Sequence, residues 1–97
     1  MNALHILLDG ATVETLDEVH AAVGAAEGVD SDVYGANLDA LYDVLTEPGP
    51  TQVEVVRVGA LRDHLGPDGF GALWDCLADA AADNPELVII WRGGAPA

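Results

Sequence analysis

Three short apolar runs, Ala3–Leu8, Gln52–Val58 and Leu87–Trp91, are spread along a chain of 97 residues, and segments of helical period fill both gaps between them. Gln52–Val58 alternates and is rich in β-branched residues, the pattern of a half-buried strand. Strands separated by helices pair in parallel, because a parallel pair needs a crossover of a dozen residues or more. The order β-α-α-β-α-α-β therefore predicts an α/β layer structure, a three-stranded parallel sheet with about four packed helices. Residues 1–97 read as a single domain without internal repeats or a linker, ending in a frayed tail over Gly93–Ala97.

Local signals place the helices. Asp9-Gly10 turns the chain after the first strand, and Thr15-Leu16-Asp17-Glu18 is a capping box, with Thr15 as N-cap and Glu18 three residues on. Leu16, Val19, His20 and Val23 share one face of the helix that follows, which fades near Gly28 into a polar loop, Gly28–Val33. Asn37 is the N-cap expected for the second helix, with Leu38, Leu41 and Leu45 facing a core. Glu47-Pro48-Gly49-Pro50 stops it. Gly59–Leu65 reads as a short helix or turn closed by Gly66-Pro67. A fourth helix is predicted from about Gly69 to Ala82, with Phe70, Leu73, Trp74, Leu77 and Ala81 inward.

An apolar fraction of 51% supplies a core, so the high charge does not argue for disorder. With 17 acids against 3 bases the formal net charge is −14, which makes nucleic acid and anionic membranes poor partners. A basic protein or a cation suits such a field, which speeds encounter with the opposite charge; acidity that merely keeps the chain soluble is the plainer alternative. The single cysteine, Cys76, excludes an internal disulfide and fits a reducing compartment. The amino terminus lacks a basic leader and its apolar run stops at Asp9, so the expectation is a soluble cytoplasmic protein.

Few residues in this chain are placed to carry chemistry. His5, His20 and His64 fall on a strand and two helices, none beside Ser31 or Cys76, so no nucleophile with its base is visible and no catalytic residue is expected. His20 reads as a satisfied structural histidine and Cys76 as a small buried residue. Asp30-x-Asp32-x-Tyr34-Gly35 opens like a calcium loop, but the fifth and twelfth places hold Tyr34 and Leu41, which fails the pattern. The glycines of Gly66-Pro67-Asp68-Gly69-Phe70-Gly71 do not follow a strand as a dinucleotide site requires. No metal and no cofactor are expected.

The second helix stands out from the rest. At about 100° per residue, Leu41, Tyr42 and Leu45 fall within roughly 60° of Leu38, while Asp39, Asp43 and Glu47 form a row on the opposite, exposed side. Like charges one turn apart cost a helix a few tenths of a kcal/mol each. Such a row is either an ordinary solvated face or a surface meant for something positive.

Tyr34-Gly35-x-Asn37-Leu38-Asp39-Ala40-Leu41-Tyr42-Asp43-x-Leu45-Thr46 closely resembles the central segment of the barstar family, intracellular protein inhibitors of secreted guanyl-specific ribonucleases. Leu16, Glu18 and His20 in the preceding helix and Leu87–Ile90 in the last strand extend the likeness in pattern. The resemblance implies a barstar-like sheet with packed helices, and inhibition in which the second helix and the loop before it plug a cationic active site built for RNA phosphate. It implies that Asp43 takes the place of the phosphate and Asp39 meets the arginines beside it. Asn37, Leu38 and Thr46 match further contact positions, Tyr42 stands where the family often has tryptophan, and Asp79 aligns with another acidic contact. The chain departs from the family at Val33, which replaces an aromatic of the contact loop, at Glu47, which replaces a glycine, and at Pro48, which replaces an aromatic. Glu47 either adds a contact to a more basic target or is simply solvated. The partner implied is one basic ribonuclease per inhibitor that is monomeric when free, with immunity to another basic nuclease toxin, or a regulatory binding domain on the same fold, as alternatives.

Overall fold

The computed structural model describes residues 4–26, 29, 34–47 and 49–93. Strands β1 (Leu4–Asp9), β2 (Thr51–Val56) and β3 (Leu87–Trp91) pair in parallel in the order β1-β2-β3, with Ile6 level with Val53 and Ile89. Alternation turns Ile6, Leu8, Val53, Val55 and Leu87 to one face, where they are buried with Val19 and Val23 of α1 (Leu16–Ala25), Leu41 and Leu45 of α2 (Leu38–Leu45), and Leu61, Leu73 and Leu77 of α3 (Val58–Asp83). Right-handed crossovers that always step the same way along a sheet stack every helix on one face. The other face, carrying His5, Leu7, Gln52, Glu54, Val88 and Ile90, is left without a helix layer among the described residues.

The capping box forms in part. The Thr15 hydroxyl accepts from the Glu18 amide at 3.1 Å, but the Glu18 carboxylate accepts from the Glu14 amide at 3.0 Å instead of from Thr15. His20 is buried, and its Nδ1 lies 2.6 Å from the Tyr34 hydroxyl in a hydrogen bond that ties α1 to the segment leading into α2.

Three expectations need correcting. Among the described residues the helices number three, not about four, because the pieces expected at Gly59–Leu65 and Gly69–Ala82 are one element interrupted at Gly66 (φ 74°, ψ 170°). Pro67 lacks an N–H and has a φ already suited to a first helical turn, so the chain re-enters helix immediately after the break, with no loop between. The second strand ends at Val56 rather than Val58. Arg57 turns the chain in the left-handed region (φ 52°, ψ 50°), and Val58 already begins α3. Arg57 reaches back to the Asp9 carboxylate at 2.9 Å, while the Ala11 amide, bonded to the same carboxylate, is the main cause holding its pKa below the usual range. A side chain at Gly10 would place its Cβ 2.2 Å from the Arg57 carbonyl oxygen, so this junction closes only on glycine. Trp74, expected inward, is 36% exposed at the margin of α3, stacked on Trp91 with ring centroids 4.7 Å apart.

Candidate functional site

The site begins with the way α2 starts. Ala36 takes a positive φ of 53°, uncommon for a residue with a side chain, and brings Asn37 into extended backbone at the cap. The Asn37 Oδ1 accepts from the Ala40 amide at 2.7 Å, and its Nδ2 donates to the Gly35 carbonyl at 3.3 Å, so one side chain fixes both the loop and the first turn. Asp39 stands in that turn, where the helix dipole favours an anion. Leu41 and Leu45 anchor the helix in the core, and Leu38 and Tyr42 are half-buried along its margin. Asp39, Asp43 and Glu47 are all exposed, as their spacing required. The Thr46 hydroxyl donates to the Tyr42 carbonyl at 2.8 Å, so it closes the end of the helix. Val33 and Pro48 lie outside the described residues.

α2 lies against the second half of α3, and the two helices run in the same direction. The Cys76 thiol donates to the Leu38 carbonyl at 3.4 Å, the Tyr42 hydroxyl donates to the Asp83 carboxylate, and the buried Asn84 amide donates to the Leu45 carbonyl at 2.9 Å. Cys76 is half-buried rather than fully buried; burial raises its thiol pKa, and the charges of Asp79 and Asp39 raise it further. Both carboxylates therefore stand close to the seam between the helices. The acidic surface is consequently built from two helices and the turn that ends one of them: Asp39 and Asp43 on α2, Glu47 just past its C-cap Thr46 rather than on the helix, and Asp79 and Asp83 one turn apart on α3. Asp83 was not singled out in the sequence. Its spacing from Asp79 was visible, but its place beside Tyr42 depends on packing between distant segments.

The histidines are not brought together. His5 lies 3.5 Å from Glu54, His20 is bonded to Tyr34, and His64 faces the Val13 carbonyl at 3.4 Å. Among the described residues no three His, Cys, Asp or Glu side chains converge as metal ligands, and no helix is long and apolar enough to cross a membrane. What the arrangement offers chemically is an exposed patch of carboxylates able to accept hydrogen bonds from a basic surface.

A family model described as Barstar (barnase inhibitor) matches residues 3–69. The match takes in β1, α1, the whole of α2, β2 and the first half of α3, and stops short of Asp79 and β3. A search of curated proteins found no match.

Proposed function

Because the chain belongs to the barstar family, whose members are inhibitors rather than enzymes, we propose that it is a stoichiometric protein inhibitor of a secreted guanyl-specific ribonuclease. The observation that carries this reading is the joint exposure of Asp39 and Asp43 on a helix that lies wholly within the family match, beside Asp79 and Asp83. A carboxylate accepts two hydrogen bonds from a guanidinium much as a phosphate does, so Asp43 substitutes for RNA phosphate in a cationic pocket and Asp39 engages the neighbouring arginines. Tyr42, held by Asp83, forms the edge of the patch. The inhibitor acts in the cytoplasm of the cell that makes the ribonuclease, as a one-to-one ligand without cofactor.

Titrating a purified guanyl-specific microbial ribonuclease with the protein should give a sharp equimolar endpoint, with inhibition competitive with RNA. Leaving a buried cation unpaired costs roughly 2–5 kcal/mol, a magnitude for which the barnase–barstar pair is itself the reference case. Asp43→Ala should therefore weaken inhibition about thirtyfold to a few thousandfold. Asp68→Ala, an exposed acid beside the kink of α3, should leave it unchanged. Equal losses from the two would mean that the charge is generic and the site is wrong.

One observation favours a second reading. Glu47 is exposed just past the C-cap of α2 and adds an acid beyond the family pattern, as immunity to a different basic nuclease toxin would use. A panel of basic nucleases separates the two, since Glu47→Gly should weaken inhibition only of the enzyme for which that extra acid is selected.

A further inference from the structure

The face of the sheet that no helix covers has a composition unlike the rest of the molecule. Parallel sheets are normally covered on both faces, because a one-sided sheet leaves half of its strand side chains in water. Here Leu7 is 50% exposed on β1 and Val88 is 53% exposed on β3, and they share the outer face with half-buried Val56 and Ile90. Across the middle of this face acids and bases are paired, and only Glu86, at the rim where the strands begin, adds an unpaired acid among the described residues. Glu54, in the middle strand, meets Arg92 at 2.7 Å and His5 at 3.5 Å, and Asp9 meets Arg57 at 2.9 Å. Two of the three bases in the chain are thus held here, each beside an acid, on a molecule whose net charge is −14.

From this we propose that the open sheet face is the contact through which two copies of the chain pair weakly. Copies that carry the same large charge repel one another through every acidic surface, and the approach is least opposed where charge is balanced and apolar side chains are exposed. A basic partner would be drawn instead to α2 and α3, and an anionic one is repelled by the molecule as a whole. Two copies related by a two-fold axis along the strands set β1 of each against β3 of the other, so that the Leu7 row meets the Ile90 row and the Glu54 clusters face across the axis. Three strands about 4.8 Å apart and roughly 20 Å long offer a patch well below the ~800 Å² per partner of a standard interface. The pair therefore forms at high protein concentration and is monomeric when dilute. It also keeps both acidic faces outward, so equimolar binding of a ribonuclease is unaffected.

Sedimentation velocity on the full chain, from micromolar to millimolar protein in dilute and in near-molar sodium chloride, reads the association directly. A dimer should appear at the upper concentrations and gain strength with salt, because salt screens the repulsion while leaving the apolar contact. Leu7→Glu/Val88→Glu, at two exposed positions, should weaken it about tenfold or more, with circular dichroism checking that the fold is kept. Backbone amide shifts on dilution of the unaltered protein should move in β1, β2 and β3 and stay fixed in α2. A monomer at every concentration and salt would overturn the proposal. So would a dimer that weakens with salt, ignores the double substitution, or shifts α2.

Discussion

Replacing Asn37 with alanine would leave the Ala40 amide without its acceptor and release the hold on Gly35. About 1 kcal/mol of stability should be lost, read from the urea midpoint. Thr15→Ala removes the comparable cap of α1 and should cost a similar amount. The two should differ in inhibition, because only the Asn37 variant frays the turn that presents Asp39; equal inhibition by both would separate the cap from the binding face. His20 sets a dependence on pH. Burial lowers its pKa, against a smaller upward pull from Asp17, so the unfolded chain binds a proton near pH 6.5 that the folded chain holds off. Its contribution to stability is thus whole above that value and is lost as pH falls through the lower, folded one. Unfolding free energy measured between about pH 7 and pH 5 should fall less steeply in His20→Gln than in the parent. An unchanged slope would show that another group titrates there. Tyr34, its partner, acts at the other extreme. Burial pushes the phenol up to about 12, so its contribution is present below pH 10 and declines as pH rises toward that value.

Between the two halves of α3, Gly66 adopts φ 74° and ψ 170°, a conformation close to glycine-only, and no atom lies within 4 Å of a Cβ built there. The cost of Gly66→Ala is consequently backbone strain alone, about 1–3 kcal/mol. Equilibrium unfolding should register that loss while the ribonuclease endpoint stays put, because α2 meets α3 at Cys76, Asp83 and Asn84, in the half beyond the kink. A neutral substitution would mean that the break tolerates a side chain. The same element shows where reading from sequence stops. α2 was legible because its cap, its leucine spacing and the pair Asp39 and Asp43 are all local, and each is found where the spacing put it, whereas Glu47 falls past the C-cap because the helix closes at Thr46. Gly66-Pro67 signals a break equally well before a loop and before a second helix, and local residues do not choose between them. The turn at Arg57 depends on Asp9, the stacking of Trp74 on Trp91, and the addition of Asp83 to the acidic face on Tyr42. All three are fixed by partners far away in the chain, so periodicity alone put the strand end two residues late and Trp74 fully inward rather than at the rim.

At the scale of the whole molecule, 17 acids face 3 bases, and two of those bases are already paired with Asp9 and Glu54 on the sheet side. The helix layer therefore keeps its carboxylates almost uncompensated, which opposes folding through self-repulsion while it draws in a basic partner. Salt should act on these two consequences with opposite sign. Raising sodium chloride from about 0.02 to 0.5 M shortens the screening length from roughly 20 Å to about 4 Å. The melting temperature of the free protein should rise across that series, since screening relieves repulsion between Asp39, Asp43 and Glu47 and between Asp79 and Asp83. Over the same series, stopped-flow association with a basic ribonuclease should slow by about tenfold or more, as attraction at long range is lost. Asp43→Ala should flatten the dependence of the association rate on salt, whereas Asp68→Ala should change it less, because Asp68 stands beside the kink of α3, apart from the end of that helix that meets α2. An association rate indifferent to salt would mean that the acidic helices do not face the ribonuclease, however tightly the two proteins bound.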